Sequence, residues 1–464
     1  MTRHLAIWTW TFAAALLLAL TSPTRAAQRP NVLILLADDL GWADLSCYGS
    51  SHTKTPHLDR LAKQGMRFTD FYAAAPNCSA SRAGLLTGRI PARTGLYSYI
   101  SPDGPMNLPK SEITIARILK TAGYQTAHFG KWHLCHDLQS PKLPQPHDHG
   151  FEYSLATDNN AEPSHKDPVN FVRNTASAGK REGYSCDVVV DEAAKWIDDA
   201  RHRSAPFFAC LWFHETHTPI ASPPDLVAPH LARGLKPEDA DYNANVENLD
   251  RAIGRLLDRI DQMGLTRNTF VLFSSDNGAL APRSNGPLRG KKSLVYEGGI
   301  REPAIMRWPG HIEPNLTSKE PAGLIDILPT FCQIAEAPVP NDRPIDGTSL
   351  VPLFNQKPLN RLTPLFWFFY RVQPAAALRD GDWTLVGFLD SKVPKSHALS
   401  PDQMTWLKQA KLNRFELYNL REDLAQTKDR AAEEPQRFQS MRRQMIDLHR
   451  EIIAEGPTWT FPKN

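Results

Sequence analysis

Cysteine is scarce in this chain, with six residues (Cys47, Cys78, Cys135, Cys186, Cys210 and Cys332) among 464. That excludes a disulfide scaffold, so stability has to come from a buried core. An excess of one charge is also lacking: 53 Lys plus Arg face 50 Asp plus Glu, a formal net charge of +3. The balance argues neither for nor against nucleic acid or another charged polymer as a partner. Repeats and low-complexity tracts are absent, which excludes a repeat architecture. Apolar runs long enough to span a bilayer are missing after the first twenty residues. Near the start, Arg3 and His4 precede the apolar stretch Leu5 to Leu20, and small residues follow around Thr24 to Ala27. This pattern reads as a cleaved signal peptide over residues 1–27 and an exported, soluble mature chain.

What is present suits a large globular protein: 41% of residues are hydrophobic and 22% charged. From Asn31 to about Pro309, apolar strand-like runs alternate with amphipathic helical stretches. That pattern predicts an α/β fold, a mostly parallel sheet sandwiched by helices. Val32 to Ala37, Gln125 to Phe129, Phe207 to Phe213 and Thr269 to Ser275 read as buried strands. Val246, Leu249, Ile253, Leu256 and Ile260 recur at helical spacing, with Gly264 placed to end that helix. The Pro-rich segments 141–149, 219–229 and 338–344 read as loops. The polar stretch from Ser154 to Gly183 reads as a long surface insertion. After about Leu353, short aromatic strands (Leu365 to Tyr370, Trp383 to Phe388) precede a closing helix with Phe438, Met441, Met445, Leu448 and Ile452 on one stripe. This predicts a smaller C-terminal α+β subdomain.

In an open parallel sheet the ligand site lies beyond the carboxyl ends of the strands, so the residues that follow each strand belong together. Here they are Asp38 and Asp39; Gly130, Lys131, Trp132 and His133; His214, Glu215, Thr216 and His217; and Asp276 and Asn277. Three carboxylates and an amide oxygen, without sulfur, favour Ca²⁺ or Mg²⁺ over Zn²⁺. A second informative segment is Asn77-Cys78-Ser79-Ala80-Ser81-Arg82, at a helix start. A helix N-terminus with Arg82 one turn on could hold an oxyanion; a buried structural cysteine is the alternative. His147, Asp148 and His149 resemble a metal tract by composition only, and they read as part of a solvated Pro-rich loop.

Cys78 to Arg82, continued by Ala83 to Arg89, resembles the signature of the type I sulfatases, the arylsulfatase branch of the alkaline phosphatase superfamily. The runs Leu288 to Lys292 and Glu297 to Pro303, Asn31 to Trp42, Gly130 to Leu134, Thr216 to Pro219 and Ser275 to Gly278 resemble further family motifs, in family order. Glu416 to Leu420 resembles part of the family's C-terminal subdomain. The family's commonest form has proline two residues after the cysteine; here Ala80, also an accepted variant, takes that place. The resemblance implies an alkaline phosphatase-like fold in which the signal peptide over 1–27, read above from the N-terminal residues, precedes a catalytic sulfatase domain over 28–360 and a C-terminal subdomain with a small antiparallel sheet and helix over 361–464.

By this resemblance, Cys78 is oxidised after translation to formylglycine by a formylglycine-generating enzyme, and Asp38, Asp39, Asp276 and Asn277 hold one Ca²⁺ together with the converted Cys78. The hydrated aldehyde offers two hydroxyls: one attacks sulfur, and the other collapses to the aldehyde and expels sulfate. Arg82 and His133 fix and deprotonate the diol, Lys131 and Lys292 bind sulfate oxygens, and His217 with Lys292 serves the leaving group. Spacing back from Glu297 selects Lys292, with Lys291 as the alternative; His217 has a bland alternative as a turn residue beside Pro219. The expected activity is hydrolysis of sulfate esters, of a sulfated carbohydrate first, in the periplasm, outside the cell, or in a lysosome-like compartment if the source is eukaryotic. No nucleic acid and no stable membrane insertion are expected. The rival readings are a phosphodiesterase or phosphonate monoester hydrolase of the same superfamily, and a non-catalytic binder of sulfated glycans.

Overall fold

The computed structural model describes residues 29–461 apart from 391 and 397, so the signal-peptide reading of residues 1–27 lies outside the described residues. In chain order the first strands are β1 (Asn31–Ala37), β2 (Met66–Tyr72), β3 (Gln125–Lys131), β4 (Tyr153–Thr157), β5 (Val172–Arg173) and β6 (Ala176–Ser177). They are followed by β7 (Phe207–Trp212), β8 (Thr269–Ser275), β9 (Arg301–Arg307), β10 (Leu316–Ser318) and β11 (Ala322–Gly323). All join one eleven-stranded sheet in the order β10-β2-β9-β8-β1-β7-β3-β4-β5-β6, with β11 also paired to β2. At its centre β8, β1, β7, β3 and β4 run parallel. β9 is antiparallel to both β8 and β2, so β2 points the same way as the central strands.

Helices cover both faces: α1 (Pro56–Lys63), α2 (Cys78–Thr87), α3 (Ile115–Thr121), α4 (Ser185–Arg201), α5 (Pro224–Ala232) and α6 (Pro237–Gln262). Side chains alternate along a strand, and in β1 that alternation divides two cores. Val32, Ile34 and Leu36 join the core under α2 and α3, with Leu85, Leu86, Ile115 and Leu119. Leu33, Leu35 and Ala37 join the core under α1, α4 and α6, with Leu58, Ile197, Leu249 and Ile253. This is why β1 reads as a continuous apolar run.

A second sheet of four antiparallel strands comprises β12 (Leu365–Phe369), β13 (Ala375–Asp380), β14 (Trp383–Leu389) and β15 (Leu412–Asn419). The C-terminal helix Pro435–Glu455 adds Met441, Met445 and Ile452 to the core that this sheet shares with α2. On β12, the Trp367 indole N–H donates to the Ala73 carbonyl at 2.7 Å, which ties this sheet to the segment leading into α2.

Two expectations from the sequence are corrected. The stretch from Ser154 is not wholly an irregular insertion: Tyr153–Thr157 forms β4, largely buried and parallel to β3. Its five residues are too short and too polar to stand out beside the surrounding loops. The 219–229 segment is not all loop either, because α5 begins at Pro224 and contains Pro229. Proline at the first helical position gives up only an amide that has no helical partner. Pro229 is exposed, as is Asp225, whose carbonyl it leaves without a helical donor.

Candidate active site

The carboxyl ends of β1, β2, β3, β4, β7 and β8 all face one edge of the large sheet, and the candidate residues gather there. β1 runs into Asp38 and Asp39, and β8 runs into Asp276 and Asn277. β3 ends on Lys131 and leads to His133. β2 leads through residues 73–77 to Cys78, the first residue of α2. The turns are pinned by backbone bonds: the Asp38 N–H donates to the Glu215 carbonyl at 2.8 Å, and the Thr216 N–H donates to the Asp38 carbonyl at 2.7 Å. Gly130, at φ +93, is required in β3 because a Cβ there would lie 2.0 Å from the Trp212 carbonyl oxygen.

Side-chain oxygens of Asp38, Asp39 and Asp276 come within 4.8 Å of one another. Like charges this close repel unless cations neutralise them. Three side chains do so here. Lys131 Nζ donates to Asp38 Oδ2 at 2.6 Å, and Lys292 Nζ contacts the Asp39 carboxylate at 2.7 and 2.8 Å. Arg82 donates from Nε and a terminal nitrogen to Asp276 Oδ2 at 2.9 and 2.7 Å and lies 3.5 Å from Asp38 Oδ1. Arg82 and Lys131 are fully buried. Burial pushes the Asp38 carboxyl up, but Lys131, His217, Arg82 and Lys292 together outweigh it and hold Asp38 well below the usual carboxylate range.

Two buried oxygens of the cluster, Asp38 Oδ1 and Asn277 Oδ1, accept no hydrogen bond among the described residues. The Asn277 Nδ2 donates to Asp39 Oδ1 at 2.6 Å, so the amide orientation is set by a neighbour in the cluster. Unsatisfied buried oxygens on strand ends, beside two more carboxylates and with no sulfur or imidazole in the set, fit a hard divalent cation such as Ca²⁺.

Cys78 is buried at the start of α2. Burial pushes its thiol up; Lys131 and Lys292 pull it down, and Asp38 and Asp276 push it up again. The two signature serines face away into structural bonds. Ser81 Oγ accepts from the Ala74 N–H and Ser79 Oγ from the Ile100 N–H, each at 3.0 Å. Ile100 also fixes His133: its carbonyl lies 3.1 Å from the His133 Nε2, and because a carbonyl only accepts, Nε2 carries the proton. His133 Nδ1 is then a buried acceptor without a partner among the described residues. His217 follows the same logic. Its Nδ1 donates to the Thr218 carbonyl at 2.6 Å, and its Nε2 points towards Asp39 Oδ2 at 3.7 Å. Burial first, then Lys131, lowers the His217 pKa.

The structure thus brings Asp38, Asp39, Cys78, Arg82, Lys131, His133, His217, Asp276, Asn277 and Lys292 to one edge. It separates the pairs that the sequence left open. Lys292 enters the cluster while Lys291 is exposed, and His214 turns inward, with Nε2 2.8 Å from the Thr157 hydroxyl. His149 is buried rather than part of a solvated loop. Arg82 faces the carboxylates, not an open oxyanion pocket. Sequence reasoning missed Asn160, whose Oδ1 lies 3.4 Å from Lys131 Nζ. It lies just beyond β4, and recognising that strand would have placed its end at the same edge. The six cysteines are all free thiols in the structure.

A mostly parallel sheet with this acidic cluster, buried cations and a helix-starting cysteine at its carboxyl edge defines a hydrolase of the alkaline phosphatase superfamily. The family description "Sulfatase" matches residues 30–337, and "N-sulphoglucosamine sulphohydrolase, C-terminal" matches residues 290–451. The chain belongs to the sulfatase family, in its type I branch, whose members hydrolyse sulfate esters. It is 35% identical to arylsulfatase A of Bos taurus over 443 residues, covering 85% of this chain and 82% of that protein. It is 36% identical to N-acetylgalactosamine-6-sulfatase of Rattus norvegicus, covering 71% and 67%. Among solved structures, Ps i-CgsB in complex with k-i-k-neocarrahexaose matches with a TM-score of 0.80 at 26% identity, over 94% of this chain and 95% of that one. A phosphonate monoester hydrolase of Agrobacterium radiobacter shares the fold, with a TM-score of 0.63 at 20% identity, over 94% and 100%. Among the described residues no helix is long and apolar enough to cross a membrane.

Proposed function

We propose that this protein is an exported sulfatase that hydrolyses sulfate esters of a carbohydrate, using Cys78 matured to formylglycine and one Ca²⁺ held by Asp38, Asp39, Asp276 and Asn277. The observation that carries the reading is the lock between α2 and the acidic cluster. Arg82, one turn after Cys78, is clamped on Asp276 with its side chain fully buried, so the position of Cys78 is keyed to the carboxylates. Ps i-CgsB, solved in complex with k-i-k-neocarrahexaose, supports carbohydrate as the substrate class.

Charge balance favours an anionic ester. Three carboxylates face three cations (Arg82, Lys131 and Lys292), and a divalent ion among them would leave the site positive. The matured Cys78 would supply the attacking oxygen and the ion would supply charge neutralisation for the sulfate group. Around them the chain's own residues have separate tasks. His133 Nδ1, kept unprotonated by the Nε2 bond to Ile100, accepts a proton at the side of Cys78. Lys131 and Lys292 hold sulfate oxygens, and the full burial of Lys131 and partial burial of Lys292 make each contact stronger than it would be in water. His217 presents Nε2 towards the leaving oxygen, its ring oriented by the Nδ1–H donation to the Thr218 carbonyl, and serves as proton donor there only after Nε2 has taken up a proton.

The test is mass spectrometry of the tryptic peptide Phe68 to Arg82, from protein made in its native host, alongside turnover of an aryl sulfate and a sulfated sugar panel. The expected peptide has lost the thiol and carries an aldehyde. A fully intact thiol in an active preparation would overturn the role given to Cys78, and an intact thiol in an inactive one would favour a glycan binder.

A further inference from the structure

We propose that Arg371, on the turn between β12 and β13, is a specificity residue that binds a second anionic group of the substrate, so that the preferred substrate carries a sulfate or carboxylate besides the ester that is cleaved. This inference rests on the sulfatase reading above. Trp367 anchors β12 on Ala73, and the chain leaving β12 carries Arg371 over the ring of Tyr99, with the guanidinium carbon 5.0 Å from the ring centroid. Tyr99 is half-buried and directly precedes Ile100. Ile100 is itself held on both sides by the reaction centre, through the Ser79 hydroxyl next to Cys78 and through His133. The C-terminal sheet therefore places a cation against Tyr99, the sequence neighbour of the residue that contacts both Ser79 and His133.

The surroundings of Arg371 suit an anion. Its guanidinium donates to the Ser396 carbonyl at 3.2 Å and also meets the Tyr370 hydroxyl, and among the described residues no carboxylate lies within ion-pair distance of it. Stacking on Tyr99 holds the guanidinium plane in place without neutralising it. Lys395, next to Ser396, is exposed. Val372, 79% exposed, keeps the tip of the turn in solvent. A planar fork with spare donors is matched to a sulfate or carboxylate.

The test compares full-length matured wild type with Arg371→Ala and Arg371→Lys on 4-nitrophenyl sulfate, and on a panel of sulfated sugars supplied in pairs that differ only by one additional sulfate or carboxylate. Each sugar is also titrated as an inhibitor of 4-nitrophenyl sulfate turnover, so that sugars that are bound but not cleaved are scored too. Wild type is expected to favour the more anionic member of at least one pair, through KM or inhibition constant. Arg371→Ala is expected to cut that preference about ten-fold, and Arg371→Lys to restore part of it. A preference that survives Arg371→Ala, or the absence of any in wild type, would overturn the assignment. Failure of the wild type to turn over 4-nitrophenyl sulfate and every sugar would instead count against the sulfatase reading itself.

Discussion

At the residue scale the site works by keeping incompatible groups together. Three buried carboxylates coexist because Lys131 pairs with Asp38, Lys292 with Asp39, and Arg82 with Asp276 and more distantly with Asp38, while two oxygens of the cluster, Asp38 Oδ1 and Asn277 Oδ1, accept no hydrogen bond among the described residues. A ligand that binds only the folded state raises its stability, by about 2.7 kcal/mol at a hundred times its dissociation constant. Calcium added to chelator-treated protein is therefore expected to raise the thermal midpoint. Asn277→Leu, of similar shape but lacking the amide oxygen, is expected to shift that response to about ten-fold higher calcium, one lost oxygen ligand being worth about one charge-assisted contact. Equal calcium responses in both proteins would remove Asn277 from the ligand set. Cys78→Ala separates chemistry from folding. The thiol is small and buried in a first helical turn, so its loss is expected to abolish turnover while changing unfolding free energy by about 1 kcal/mol. Residual turnover near the wild-type rate would exclude Cys78 from the reaction.

At the scale of elements, α1 shows how a helix is finished by a distant part of the chain. Its own N-cap, Thr55, makes no side-chain cap bond. Instead Asp250 on α6 accepts from the Leu58 N–H at 2.8 Å and the His57 N–H at 3.1 Å, and so supplies the missing acceptor. Burial pushes the Asp250 carboxyl up to about 7, against the pull of those two amides. Because the folded value exceeds the unfolded value of about 4, the folded state holds the proton more tightly. The associated stability is complete below pH 4, falls as pH rises through 7, and is flat above. Asp250→Asn removes that titration. Urea unfolding at pH 4, 6 and 8 is expected to show wild type losing stability relative to the variant, by at most about 1.4 kcal/mol per pH unit; parallel curves would contradict it.

The same scale shows what could be read beforehand. β1 and β8 were legible because strands buried on both faces admit only apolar residues, and their polar sequels stand out as strand ends. β9 was not, since Arg301, Glu302 and Arg307 lie in a fully buried strand where they read as surface. β13 hid behind three alanines, which carry no strand preference. The helical start of α6 hid as well, because its first turns, PEDADYN, show no apolar period until Val246. Asn160 was lost with β4. What escaped were elements whose identity depends on what covers them, which spacing along the chain does not encode.

At the scale of the whole molecule, the two sheets are joined by buried charge as well as by apolar contact. Asp70 on β2 receives Arg379 from β13 at 2.6 Å and Arg301 from β9 at 2.8 Å. Arg301 also pairs with Glu297 at 2.9 Å, and the Tyr72 hydroxyl donates to the same Glu297 oxygen. Two carboxylates thus meet two arginines, one from each sheet, all nearly inaccessible to solvent. Burial pushes Asp70 up, and the two arginines override it and keep Asp70 below the ordinary carboxylate range. A balanced buried set contributes little by itself, but breaking it on one side leaves an uncompensated charge, at about 3–5 kcal/mol. Arg379→Met is therefore expected to lose about 3 kcal/mol in denaturant unfolding, although a methionine fills much of the same space. If uncompensated charge is the cause, removing Asp70 as well should repair the damage. The double variant Asp70→Leu with Arg379→Met leaves Glu297 and Arg301 paired, and is expected to be more stable than Arg379→Met alone. A double variant that simply adds the two losses would show that Arg379 joins the sheets by packing, not by charge.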